Sequence, residues 1–126
     1  MIVLDSGAVT AFARQSRSSR RTLVDTLDGD AWPAVVPTPV LIECLRGDRD
    51  RDATTNRFLK TCDVIGIIPE ALARRAAELR TRARRGSAID ALVVAFAEPG
   101  GTVLTSDVGD LRALAQHADD VTVERV

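Results

Sequence analysis

Four carboxylates of this chain stand where stability alone does not ask for them. Asp5 closes the short apolar run Ile2-Val3-Leu4, and Asp107 follows the run Val103-Leu104-Thr105-Ser106. Glu43 is the only charge within Val40–Leu45, and Asp90 is the only charge between Ala88 and Ala97. A lone carboxylate in apolar surroundings is costly unless it is paired, hydrogen-bonded or bound to a metal. Each acid also has a local explanation. Asp5 can cap a helix beginning near Gly7, and Asp107 can cap a helix or close an Asx turn in Ser106-Asp107-Val108-Gly109. Asp90 can sit in a first turn, where the helix dipole favours acids, and Glu43 can point to solvent. Jointly they say more. Four acids gathered at one edge of a fold would repel one another. A hard divalent cation with oxygen ligands relieves that repulsion, and Mg²⁺ or Mn²⁺ suits it best. Asp110, one helical turn beyond Asp107, is a fifth candidate ligand.

The elements that must position these acids follow from pattern. Met1–Asp5 reads as a buried strand, and Ser6-Gly7 turns the chain into a helix through about Arg14. A second helix runs from about Ser18 to Asp28, with Leu23, Val24 and Leu27 on one face. Ala34–Val36, between two prolines, is a second strand. Thr38-Pro39 reads as an N-cap with proline at the first helical position, starting a helix over Pro39–Arg46 that stops at Gly47. The fully charged Asp48–Asp52 should be solvated, and a helix over Ala53–Thr61 follows it.

Asp63–Ile68 is a third strand. From Pro69 a helix carries Leu72, Ala76, Leu79 and Ala83 as one stripe. Gly86-Ser87 breaks it before Ala88–Glu98, a nearly all-apolar central helix. Thr102–Thr105 is a fourth strand, Val108–Gln116 a last helix, and Val121–Val126 a terminal edge strand. Strands alternating with helices predict a three-layer α/β/α domain with a mainly parallel central sheet. In such sheets ligands bind beyond the carboxyl ends of the strands, where Asp5 and Asp107 are expected.

Composition narrows the chemistry. A chain of 126 residues is one domain, residues 1–126. Its longest apolar run, Ala91–Ala97, is far short of a membrane span, and the N-terminus lacks a basic stretch and carries Asp5 early. That reads as a soluble cytoplasmic protein with no membrane partner. Cys44, Cys62 and His117 are too few for a four-ligand zinc site, and His117 lies in a polar stretch. Carboxylates, hydroxyls and arginines remain. All basic residues but Lys60 are arginine, and Arg74, Arg75, Arg80, Arg82, Arg84 and Arg85 crowd together around one acid, Glu78. Arginine forks suit phosphate, although such clusters also serve as ordinary solvated helix faces. Setting the four acids aside moves the formal net charge from −1 to +3, a mildly basic remainder.

The residues also resemble a family. Ile2-Val3-Leu4-Asp5-Ser6-Gly7-Ala8 looks like the first motif of PIN-domain ribonucleases, and Thr38-Pro39-Val40-Leu41-Ile42-Glu43 like their second-acid helix. Ala88-Ile89-Asp90-Ala91-Leu92-Val93-Val94-Ala95 is similar to the third motif, and Val103-Leu104-Thr105-Ser106-Asp107-Val108-Gly109-Asp110-Leu111 to the fourth. Order and spacing match over essentially the whole chain, and the small size resembles the VapC toxins of bacterial toxin–antitoxin pairs. The resemblance implies a PIN-like fold and a Mg²⁺- or Mn²⁺-dependent endoribonuclease. It implies a homodimer and a small VapB-type antitoxin whose C-terminal segment lies in the active-site groove. It makes Asp5, Glu43, Asp90 and Asp107 the metal-binding acids, with Asp110 an additional one, and gives Ser6 and Thr105 the task of orienting a carboxylate or a metal-bound water. The short link Arg85–Ile89 departs from the family pattern.

Metal-assisted in-line attack should leave 5′-phosphate and 3′-hydroxyl ends. Arg82, Arg84 and Arg85 are the expected RNA contacts. With Phe12, Phe58, Phe96 and Trp32 the only aromatics, base stacking is a minor source of specificity, so a structured RNA is expected. The apolar faces of Pro39–Arg46 and Ala53–Thr61 either hold an antitoxin helix or pack on the core. Among rivals, a haloacid-dehalogenase-like phosphatase needs a second Asp where Gly7 stands, and a phosphoreceiver needs a late lysine where this chain has only Lys60. A DNA-cutting nuclease of related fold would need a longer chain. The remaining alternative is a catalytically idle PIN-like domain that binds RNA or protein.

Overall fold

A computed structural model of the chain describes residues 1–28 and 32–126. The apolar runs form five short strands: β1 (Ile2–Leu4), β2 (Val35–Pro37), β3 (Asp63–Ile65), β4 (Thr102–Thr105) and β5 (Thr122–Arg125). They make one sheet in the order β3-β2-β1-β4-β5, and every pair is parallel. Seven helices connect them: α1 (Ser6–Arg14), α2 (Arg17–Asp28), α3 (Thr38–Cys44), α4 (Ala53–Leu59), α5 (Glu70–Ala83), α6 (Ala88–Ala97) and α7 (Gly109–Ala115). Helix α1 packs with α3 and α4, and α5, α6 and α7 pack with one another, which gives the three-layer α/β/α architecture that alternation predicts.

The sheet is wound outward in two directions from β1. The chain steps β1-β2-β3 to one side, returns through α5 and α6, and adds β4 and β5 on the other side. Parallel strands covered on both faces read as continuous apolar runs, and β1 is accordingly buried along its whole length. Helix α6 supplies the matching layer: Ala91, Leu92, Val93, Val94, Ala95 and Ala97 are all buried. On α5, the expected stripe holds, with Ala76 and Leu79 buried and Leu72 and Ala83 partly so. On α2, Leu23 packs against the core margin, while the side chains of Val24 and Leu27 lie outside the described residues.

Several expected boundaries shift for identifiable reasons. Helix α3 begins at Thr38 itself, with Pro37 as N-cap and no side-chain cap, so Thr38 is not the cap that its type suggests. It ends at Cys44 rather than Arg46. The Asp52 carboxylate accepts hydrogen bonds from the Arg46 amide at 3.0 and 3.1 Å and from the Gly47 amide at 2.9 Å. Those bonds also bury Asp52, which is 5% exposed although its charged segment is expected to be solvated. Strand β3 ends at Ile65, three residues before the apolar run does, because its one partner, β2, offers only three residues.

A bidentate ion pair closes the end of α6. Arg75 donates through Nε and Nη2 to both oxygens of Glu98, at 2.7–3.2 Å, and Glu98 also accepts from the Asp119 amide at 2.8 Å. Its side chain is only 12% exposed. The arginine holds the Glu98 carboxyl below its ordinary value of 4.5, against the opposing effect of burial. A carboxyl depressed by folding adds stability that is complete above its unfolded value and is lost as pH falls through its folded one. Glu98→Gln is expected to cost about 2 kcal/mol at neutral pH and to flatten the loss of stability below pH 4.5. Urea unfolding of both proteins across pH 3–7 measures this, and parallel pH profiles would refute it.

Candidate active site

The site begins with a hydrogen bond across the sheet. Leu4 of β1 is in register with Leu104 of β4, and the Asp5 amide donates to the Leu104 carbonyl at 3.3 Å. This puts Asp5 and Thr105 side by side at the carboxyl ends of adjacent strands. Thr105 is fully buried, and its hydroxyl lies 2.5 Å from Oδ2 of Asp5. The hydroxyl has one proton, which goes to the charged acceptor. It accepts in turn from the Asp107 amide at 3.0 Å. The other Asp5 oxygen, Oδ1, accepts from the Ala8 amide at 2.7 Å and so caps α1. Gly7 lets Ser106 pack closely against this start, since a Cβ there would force the Ser106 hydroxyl to move.

Two helices bring further acids. Asp90 is the third residue of α6 and is half-buried. It forms a capping box with Ser87: the Ser87 amide donates to Asp90 Oδ2, and the Asp90 amide donates to the Ser87 hydroxyl, both at 3.0 Å. Glu43 lies on α3 and is exposed as a residue. The electrostatics tie these groups together. Burial pushes the Asp5 carboxyl up; the Thr105 hydroxyl and the Ala8 amide oppose this, and the charge of Asp90 adds to it. Glu43 is also pushed up, first by the water that neighbouring protein excludes from its carboxyl, then by Asp90 and Asp5. The Ser6 hydroxyl draws Glu43 back down. Asp5, Glu43 and Asp90 therefore share one field, with Thr105 bonded to Asp5 and the Ser6 hydroxyl acting on Glu43.

The other expected residues fall into different roles. Asp107 is exposed and accepts from the Gly109 amide at 3.3 Å in an Asx turn; it is joined to Asp5 through Thr105. Asp110 pairs with Arg85 at 3.0 Å. Arg82 pairs with Glu78 at 2.8 Å on α5. Arg84 ends α5 in the left-handed conformation, φ 55°, and is exposed. One residue that the sequence reading passes over stands at this edge as well. Arg125, the last residue of β5, is in register with Thr105, and its Nη1 donates to the Ser106 carbonyl at 2.9 Å. The alternation of Val121–Val126 carried the signal for it, since a parallel edge strand must end where its neighbour ends.

The family-model description "PIN domain" matches residues 2–116. The chain belongs to the PIN-domain family. PIN domains are in general nucleases. Among solved structures, the chain is similar to VapBC2 from Rickettsia felis bound to a DNA fragment from its promoter, with a TM-score of 0.65 and 16% identity over 100% of this chain and 99% of that one. At that identity the likeness is one of fold. No curated protein matches the sequence significantly.

In this PIN domain the donor set suits a hard cation in its chemistry. All its atoms are oxygens, and no Arg or Lys among the described residues pairs with Asp5, Glu43, Asp90 or Asp107. Among the described residues no three such side chains close around a single ion as they stand. Mg²⁺ does not require that closure, because it keeps several waters and takes one or two carboxylates together with substrate phosphate.

Because the carboxyls of Asp5 and Glu43 are raised by folding, the folded protein holds their protons longer than the unfolded chain does. Stability therefore falls as pH rises from the ordinary values of 3.8 and 4.5 through the higher folded ones. Asp90→Asn keeps a capping oxygen and removes one of the repelling charges. In EDTA at pH 7 it is expected to raise Tm by a few degrees, the response of a domain this size to about 1 kcal/mol. The gain should vanish near pH 3.5, where the carboxylates are protonated. An unchanged or lower Tm at pH 7 would show that the acids do not share a field.

Proposed function

We propose that this PIN domain is a Mg²⁺- or Mn²⁺-dependent endoribonuclease, the VapC-like toxin of a type II toxin–antitoxin pair, acting in the cytoplasm on a structured RNA. The observation that carries the reading is the gathering of Asp5, Glu43 and Asp90 at one crevice, where Asp90 adds to the raising of both Asp5 and Glu43 and, among the described residues, no Arg or Lys pairs with any of the three. A binding module gains nothing from such a cluster, which argues against a catalytically idle domain. Asp5, Glu43 and Asp90 would hold the metal, and Asp107 stands next to them on the same sheet edge. A divalent cation bound there supplies an activated water and neutralises charge on the scissile phosphate. Thr105 fixes the orientation of Asp5 through its buried hydroxyl, and the hydroxyl of Ser6 would orient Glu43 or a metal-bound water. The amide of Ala8 holds the second Asp5 oxygen in place.

The VapBC2 likeness, together with the family, supports a VapB-type antitoxin as partner, and a homodimer is part of the same proposal. An open groove of about 730 Å³ between α3, α4 and β3 is available to an antitoxin helix. Leu41, Leu45, Ala53 and Val64 line it, while Val40 and Phe58 of the same helices turn inward to the core. No helix among the described residues is long and apolar enough to cross a membrane.

Purified protein incubated with a pool of structured cellular RNA is expected to cut it with Mg²⁺ or Mn²⁺ and not with EDTA, leaving 5′-phosphate and 3′-hydroxyl ends. Asp90→Asn should lower the rate on the order of 1,000-fold, the several kcal/mol that a metal contributes. Full activity in that variant would overturn the metal-site assignment. RNA bound but never cut would favour the idle binding domain.

A further inference from the structure

Several arginines of α5 are already occupied. Arg75 is bonded to Glu98, Arg82 to Glu78, and Arg80 donates to the Gly86 carbonyl. Two other arginines are held at the carboxyl edge of the sheet with most of their donors free. Arg85 uses Nε on Asp110, and its Nη2 reaches the turn that follows Asp107. Nη2 of Arg85 and Oδ1 of Asp107 each lie 3.7 Å from the point that a Cβ on Gly109 would occupy. Arg125 uses Nη1 on the carbonyl of Ser106, the residue before Asp107, and has no acidic partner among the described residues. The turn 106–109 thus has one guanidinium bonded at its start and another reaching its end. Both arginines are exposed, and an exposed pair such as Arg85–Asp110 adds little stability, so stability does not account for them.

A negative backbone approaching the field of Asp5, Glu43 and Asp90 needs cationic groups beside it. The planar guanidinium fork is the side chain best suited to phosphate oxygens. We infer that Arg85 and Arg125 form the phosphate-binding edge of the site, gripping the backbone of the substrate strand on either side of the 106–109 turn. In this arrangement Asp110 is a positioning residue that aims Arg85, and it does not ligate metal. The inference rests on the ribonuclease reading and assigns how that site holds its substrate.

The test uses the full chain carrying Asp90→Asn, with a fluorescently labelled RNA that the wild type cuts, in Mg²⁺. Arg85→Gln and Arg125→Gln should each weaken binding about tenfold and each lower the slope of log affinity against log salt by about 1. Thermal unfolding should show both variants folded as the parent is. Arg17→Gln, on α2 at the opposite end of the sheet, is the control and should change neither quantity. In the same Asp90→Asn chain, Asp110→Asn should weaken RNA binding less than Arg85→Gln does, and in the otherwise wild-type chain it should leave the Tm shift produced by Mn²⁺ unchanged. Unchanged affinity and salt slope in both arginine variants would overturn the clamp. Loss of the Mn²⁺ shift in Asp110→Asn would overturn the role given to Asp110. If the wild type neither binds nor cuts RNA, the ribonuclease reading itself fails, a result distinct from either of these.

Discussion

The short hydrogen bond from the buried Thr105 hydroxyl to Asp5 joins the two strands on which the site is organised. It spans the one place where the sheet order reverses, between β1 and β4. Helices leave adjacent strands toward opposite faces there, and a crevice opens beyond the strand ends. The bond fixes one oxygen of Asp5, the α1 amide fixes the other, and the Thr105 oxygen also takes the Asp107 amide. Without that hydroxyl, Asp5 and the following turn would each lose a partner, and the crevice would lose its common reference point. Glu43 and Asp90 reach this centre from helices on the two opposite faces of the sheet.

Helix α6 shows how one element can hold both a stable end and a strained one. Its ten residues span roughly 15 Å. At its start Asp90 sits among other acids and raises their carboxyls. Just past its end Glu98 is clasped by Arg75 and lowered. Both ends carry acids, so residue type does not separate them; the partner does. The acid with a fork around it ties α5, α6 and the 117–119 segment together. The acids without one cost stability, and the apolar body of α6 between the two ends offsets that cost.

The strands and their parallel arrangement were legible because a parallel sheet covered on both faces needs unbroken apolar runs, and this chain has them at Ile2, Val35 and Val103. The four acids were legible because each interrupts or ends such a run. Less legible was what depends on which side chains meet. Asp52 lies in a run of charges and gives no sign in sequence that it will fold back on the amides of Arg46 and Gly47. Arg82 and Arg85 look alike in sequence. One falls four residues from Glu78 and is taken by it, whereas the other meets Asp110 only through the tertiary fold. Arg125 was passed over because its neighbours in sequence are unremarkable, and its neighbour in space is Ser106.

The local and the functional explanations of these acids turn out not to compete. Asp5 does cap α1, Asp90 does complete a capping box, Asp107 does close an Asx turn, and Glu43 is exposed. Each role explains why a polar side chain is tolerated at its position. None explains why it must be charged. Asparagine or serine would accept the Ala8 amide about as well as Asp5 does. An amide at 90 would serve Ser87 without raising Asp5 and Glu43. Capping brings the positive ends of α1 and α6 to the same crevice, which favours anions there. That tendency is satisfied by one carboxylate and is exceeded by three, among which Asp90 adds to the upward push on both Asp5 and Glu43. The excess charge is the part of this structure that folding does not require, and a cation shared with a phosphate backbone is the chemistry that would use it.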